Sequence, residues 1–308
     1  MPSPAFILHQ YDFSPFSEKV RLAFGLKGLE WSAVDTPVAM PKPDLMPLTG
    51  GYRRAPVMQV GADIYCDTLL ILREIERRHP EPSLYPGGQE GLANGLSYWV
   101  ERTTFVPAAA LATSVIGDQL PAEFIEERKS FMNHDFGKEA SLRERSLNLQ
   151  RVHAHMAWLA SMLADGRSFL LGGAPSAADL SAYHPIWFTR KNGGPTVEAV
   201  LPLAPLLGWM ERVAALGHGT RREMPAGEAL DVAAAAEPQA PGVPADGDPS
   251  DLRAGQEVVV RADDRGRDPI RGTLVGADAH EVVVRREDGR VGAVHVHFPR
   301  VGFDVVPA

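Results

Sequence analysis

Within its first 80 residues the chain switches repeatedly between strand-like and helix-like patterns, and that interleaving restricts its fold more than any other feature. Ala5-Phe6-Ile7-Leu8 is a short apolar run suited to a buried strand. Ser14-Pro15 then opens a helix, with Ser at the cap, Pro at the first helical position and Val20, Leu22, Ala23 and Leu26 following. Gly28 supplies the usual C-terminal stop. Trp31 to Val34 reads as a second strand. Val57 to Val60 and Ile64 to Cys66 flank Gly61-Ala62-Asp63, two short strands around a glycine-containing turn. Thr68 to His79 is a helix with Leu69, Leu72 and Ile75 toward one side, ended by Pro80.

The pattern then changes twice. Pro80, Pro82 and Pro86-Gly87-Gly88 form a connector. From about 90 to 236 nothing alternates with period two, and helical stretches are predicted over 90–117, 139–165, 176–192, 204–217 and 226–236. Glu237 to Ser250 is rich in Pro and Gly, lacks aromatic residues and reads as an extended, semi-rigid linker. Beyond it, Glu257–Arg261, Gly272–Val275, Glu281–Arg285 and Ala293–Phe298 are strand candidates, with an Asp288-Gly289 turn between the last two. Four or five strands in so short a module are most economically a small barrel. The expected fold class is therefore α+β multidomain, divided as 1–80, an all-helical 88–236, a linker 237–251 and a barrel-like 252–308.

Composition narrows the function. The net charge of −8 excludes a whole-molecule basic field for nucleic acid or anionic membrane. One cysteine excludes an internal disulfide and any cysteine-rich zinc module. The start of the chain has neither the basic flank nor the apolar length of a signal peptide. The uncharged run from Thr103 to Gly117 falls short of the roughly 18–20 residues of a membrane span. A cytoplasmic protein without nucleic-acid or membrane partners is expected.

Three short motifs carry chemistry. In Ser14-Pro15-Phe16-Ser17-Glu18-Lys19-Val20-Arg21, a hydroxyl sits where free N–H groups and the positive end of the helix dipole favour an anion, a thiolate included. In Arg54-Ala55-Pro56-Val57, a proline just before a strand cannot donate to the ladder and leaves the backbone before it to pair elsewhere. At Asp67-Thr68 a carboxylate and a hydroxyl meet a helix N-terminus, a pair able to hold the two ends of a zwitterion. Each alone also reads as an ordinary cap or turn.

Together, in this order, they resemble the cytosolic glutathione transferases. The matching stretches are Phe13 to Arg21, Arg54 to Met58, Asp63 to Leu72, and Phe169 to Leu180, where Ser176 and Asp179 have capping-box spacing. The resemblance covers about 1–220 and leaves the C-terminal module unexplained. It implies a thioredoxin-like N-terminal domain that binds glutathione as co-substrate, a helical domain that receives a small apolar electrophile, and a homodimer. By the same resemblance Ser14 is the activating hydroxyl of serine-type classes, with Tyr11 as its rival. The Ala55 backbone, ahead of the family's cis-proline Pro56, pairs with the cysteinyl part of glutathione, Asp67 and Thr68 hold its γ-glutamyl end, and Lys42 takes its glycine carboxylate. Asp-Thr stands where the family has Glu-Ser, one methylene shorter in the acid. Leu48 to Arg53 lacks the family's Asn-Pro-x-Gly pattern. Serine in place of cysteine at residue 14 argues against reduction through a protein mixed disulfide.

Other residues read as structure. Cys66 is a core thiol. His153 and His155 point to different helix faces. His295 and His297 share a strand face, but two ligands do not make a site, so no metal is expected. Tyr98, Trp99, Phe105 and Trp187 serve equally as electrophile pocket and as core. Alternatives of function are a glutathione-binding or scaffold protein acting through the C-terminal module, and a glutathione-dependent isomerase or dehalogenase. Because every glutathione residue precedes residue 70, a truncation ending near Glu237 is expected to fold and to bind glutathione.

Overall fold

A computed structural model of the chain describes residues 5–243, 248–249 and 251–308. The chain divides into two units. One joins 5–12, 30–74 and the described part of 220–308; the other joins 13–29 and 75–219.

The first unit is built on one sheet of ten strands. β1 (Phe6–Gln10) pairs in parallel with β2 (Glu30–Asp35) and antiparallel with β3 (Val57–Val60), which forms a hairpin with β4 (Asp63–Cys66). β5 (Thr220–Glu223) extends the far edge alongside β2. It consists of Thr, Arg, Arg and Glu, all exposed; an edge that is charged and short resists pairing with other chains. The same charges hide it from a search for period two. On the other side come β6 (Glu257–Ala262), β7 (Ile270–Ala277), β8 (Glu281–Asp288), β9 (Gly292–Pro299) and β10 (Phe303–Pro307). Their order is open, β10-β6-β7-β8-β9, and β9 then pairs in parallel with β4. The C-terminal strands thus exist as expected, but they continue the N-terminal sheet.

One apolar cluster joins the two parts. Leu48, Tyr52, Val57, Ile64 and Cys66 from the first 80 residues are buried with Val258, Leu274, Val282, Val296 and Phe298 from the last 57. α2 (Met46–Thr49) and α10 (Ala226–Ala234) pack in this unit, α10 through Leu230 and Ala233. The expected division is corrected here. α10 belongs with the sheet, not with a helical domain ending at 236, and 252–308 has no core of its own. The described residues of the 237–251 linker are likewise pinned: the Gln239 N–H donates to Asp63 Oδ2 at 3.0 Å, and buried Asp248 pairs with Arg300 at 2.9 Å. Residues 244–247 and 250 of that linker lie outside the described residues.

The second unit is helical. α1 (Pro15–Leu26) leads into it, and α3 (Thr68–Arg78) begins in the sheet unit and ends here. α4 (Glu90–Thr103), α5 (Phe105–Ile116), α6 (Ala122–Met132), α7 (Lys138–Met162), α8 (Ala177–Glu198) and α9 (Leu207–Ala214) complete it. The predicted 90–117 helix is two helices joined at Thr104, and α6 fills a stretch the periodicity leaves unassigned. α5 packs against both α7 and α8. Its run Pro107-Ala108-Ala109-Ala110-Leu111-Ala112 lets it sit buried on nearly every side, as small side chains permit close approach. Asp179 caps α8: it accepts from the Ser176 N–H (2.9 Å), the Leu170 N–H (2.8 Å) and Trp209 Nε1–H (2.8 Å), so one buried carboxylate ties three segments. Among the described residues no helix is long and apolar enough to cross a membrane.

Candidate functional site

The residues singled out from the sequence fall in both units. In the sheet unit the hairpin decides the geometry. Val57 is paired with Cys66, so the residues just outside that pair, Ala55-Pro56 and Asp67-Thr68, emerge at the same end of two adjacent strands. The Ala55–Pro56 peptide is cis. Ala55 stands beyond the register that β3 makes with β1 and β4, which suits a backbone position that pairs with an extended ligand. Asp67 has φ of 72°, left-handed for a residue with a side chain. Its carboxylate accepts from the Leu69 N–H at 2.9 Å and so caps α3. A non-glycine residue in that conformation at a strand-to-helix turn is a recurrent mark of a functional position.

Lys42 is buried and lies over the ring of Tyr11, Nζ 6.0 Å from its centroid. The two are therefore neighbours. Arg54, just before Ala55, pairs with Asp264 at 2.6 Å and also reaches the Arg265 carbonyl; Arg53 pairs with Asp268 at 2.8 Å. The β6–β7 loop thus grips the segment that leads into Ala55-Pro56. Arg290 holds the Pro43 carbonyl (3.0 Å) and Asp44 (2.8 Å), next to Lys42. The sequence contains no signal for these contacts, because their partners lie more than 200 residues apart. Burial first, then the Asp67 charge, pushes the Cys66 thiol far above its usual value, so it stays protonated and unreactive.

In the helical unit Ser14 is the N-cap of α1, and its Oγ accepts from the Ser17 N–H at 3.2 Å. That leaves the hydroxyl able to donate. Phe16, two residues on, packs on Phe105 (4.9 Å between centroids) and His184 (4.7 Å), and Phe188 and Phe136 extend the apolar group. Phe105 therefore belongs to an apolar cluster that starts at α1. Tyr98 is exposed, and Trp99 stacks instead against Trp158. Trp187 carries Lys191 over its ring.

Behind that cluster lies a buried charge group that periodicity did not reveal. Lys19 donates to Glu101 at 2.7 Å, and His184 Nε2 is 3.3 Å from the same oxygen. Burial raises the Glu101 carboxyl, but Lys19 and the His184 hydrogen bond outweigh it and bring the pKa down to about 2. Glu18 is similarly held below its ordinary value against burial by His218 and Arg21. Both pairs orient α1, one turn from its N-terminus.

The two strand histidines, His295 and His297, acquire a third potential ligand, Asp63, across the β4–β9 pairing. Two histidines alone predicted no metal, and a parallel pairing between residues 63 and 295 could not be read from the sequence.

Comparison with known proteins places these features. Residues 8–83 match the model "Glutathione S-transferase, N-terminal domain", and 97–221 match "Glutathione S-transferase, C-terminal domain". A GST-like protein from Pseudomonas syringae is 35% identical, with a TM-score of 0.82 over 99% of this chain and 100% of its own. A glutathione S-transferase from Rhodospirillum rubrum F11 is 19% identical, with a TM-score of 0.53 over 68% of this chain and 87% of its own. A glutathione S-transferase of Ceriporiopsis subvermispora, solved in complex with glutathione, is 18% identical, with a TM-score of 0.51 over 69% and 97%. These last two share the fold. No curated protein matches the chain.

Proposed function

The chain belongs to the glutathione S-transferase family, and from that premise we propose that it binds glutathione as co-substrate and transfers its thiolate to a small apolar electrophile, as a homodimer in the cytoplasm. The observation that carries this reading is the hairpin register that sets Ala55-Pro56 beside Asp67-Thr68. In this reading the Ala55 backbone pairs with the cysteinyl part of glutathione, Asp67 and Thr68 take the γ-glutamyl group, and Lys42 takes the glycine carboxylate. The Ser14 hydroxyl donates to the sulfur at the start of α1. Lowering the thiol pKa by two units requires about 2.7 kcal/mol of preference for the thiolate. A charge-assisted hydrogen bond together with a helix terminus supplies about that much. The thiolate then attacks the electrophilic carbon, and the leaving group departs without a covalent bond to the protein. The apolar cluster from Phe16 to Phe105 and Phe188 suits the electrophile.

The test is Ser14→Ala in calorimetry with glutathione and in turnover of an aryl halide. Affinity should stay within a few-fold, turnover should fall roughly 10- to 100-fold, and the thiolate absorbance of bound glutathione should appear at higher pH. An unchanged pH profile moves the role to Tyr11 or to backbone N–H groups. Binding without turnover on a panel of electrophiles makes the protein a glutathione-binding protein instead.

A further inference from the structure

We propose that Asp63, His295 and His297 form a binding site for one divalent transition-metal ion, zinc by preference, that fastens β9 to β4. The three side chains are buried and their ligand atoms lie within 4.8 Å of one another. They converge because the parallel register pairs Asp63 with His295 and Tyr65 with His297, which sets alternate residues of two neighbouring strands on one face. His297 Nε2 is 3.0 Å from Asp63 Oδ1, and His295 Nδ1 is 3.9 Å from the same oxygen. Tetrahedral ligands at about 2.0–2.1 Å from zinc stand about 3.3 Å apart, so small side-chain rotations close the set.

The surroundings match a metal-binding histidine. His297 Nδ1 faces Glu281, and its ring stacks on Tyr65 at 4.4 Å, which fixes its orientation. A ligating histidine characteristically donates its other N–H to a carboxylate in this way. With carboxylates at both nitrogens, His297 carries a proton on each; the ion replaces the one between Nε2 and Asp63, and the Nδ1–H to Glu281 remains. The Gln239 carbonyl accepts from His295 Nδ1–H at 3.0 Å, and the Gln239 N–H donates to Asp63 Oδ2 at 3.0 Å. Ligation through Nδ1 moves the His295 proton to Nε2 and turns the Gln239 carbonyl toward the fourth position. Two imidazoles with oxygen donors and no thiolate select zinc, cobalt or nickel over magnesium, calcium or copper(I).

The test uses the full-length protein, stripped with a chelator and titrated with Zn2+ and with Co2+ as a spectroscopic probe. One equivalent should bind, the melting temperature should rise, and the cobalt form should show the visible bands of a tetrahedral centre. His295→Gln and Asp63→Asn, checked by near-ultraviolet circular dichroism, should weaken binding at least about 100-fold, and Glu281→Gln about 10- to 100-fold. X-ray absorption of the zinc-loaded wild type should show two imidazoles, which decides the matter even where a variant fails to fold. No stoichiometric binding by the wild type, fewer than two imidazoles, or undiminished binding by a folded His295→Gln protein overturns the proposal and leaves the cluster a metal-free ion-pair clamp. The outcome does not depend on whether glutathione binds.

Discussion

Asp67 joins two demands that are separable by substitution. Its left-handed backbone and its hydrogen bond to the Leu69 N–H are structural, while its charge is what a γ-glutamyl ammonium would meet. Asparagine tolerates the left-handed region and can still cap a helix, so Asp67→Asn keeps the first and removes the second. We expect a melting temperature near that of wild type and a loss of glutathione affinity of roughly 10-fold or more, as for a charged hydrogen bond. Asp67→Ala should in addition lose about 1–2 kcal/mol of stability in urea titration, through the cap and the strained φ. Equal affinity in wild type and Asp67→Asn would remove the carboxylate from the site. The residues Ser14, Ala55, Pro56, Asp67 and Thr68 were all legible, because caps and pre-strand prolines have local signatures. Asp63 was not, since it reads as one member of a hairpin turn until a distant strand lies beside it.

Three elements of the sheet unit meet at His9 on β1. His9 Nε2 bonds Gln59 Oε1 on β3 at 2.9 Å, and Gln59 Nε2 donates to the Ala229 carbonyl on α10 at 2.8 Å. Burial lowers the His9 pKa from 6.5 to about 4, more than the Gln59 hydrogen bond and the Asp44 charge raise it. The native state therefore holds His9 neutral where the unfolded chain takes up a proton. Its stabilising effect is full above pH 6.5 and is lost as pH falls from 6.5 toward 4, about 3 kcal/mol over the whole interval. Urea midpoints measured at pH 7 and pH 4.5 should show the drop, and His9→Gln should flatten it. A slope unchanged by His9→Gln would assign the acid sensitivity to other groups. Periodicity found β1, β3 and α10 but assigned α10 to the helices. An amphipathic helix shows that it has an apolar face, not which surface that face meets.

For the chain as a whole, the decisive contact is the one between β4 and β9. A truncation ending at Glu237 would remove β6 to β10, expose the β4 edge and uncover Leu48, Tyr52, Val57 and Ile64, which those strands help bury. It would also release Arg53 and Arg54 from Asp268 and Asp264, beside Ala55-Pro56. The expected outcome is aggregation, or loss of cooperative unfolding, seen by size-exclusion chromatography and thermal circular dichroism. A truncated chain that is monodisperse and melts cooperatively would restore the independent module. The family models end at residue 221, whereas the Pseudomonas syringae protein matches 99% of the chain, so the C-terminal strands are shared with that protein.

Local chemistry determined a good deal by itself. Caps, turn residues and the change of period located most elements, and the order of three motifs pointed to the family before any contact was visible. These signals act over a few residues, so a single chain carries them in plain order. Tertiary structure alone decided that the final strands extend the first sheet, that the Pro-rich segment docks through Gln239, and that Asp63 joins His295 and His297. The physical reason is common to all three. Strand pairing and buried ion pairs are specified by complementarity between surfaces, and a run of Val-Val-Val looks the same whether it closes a barrel or covers a neighbour's edge.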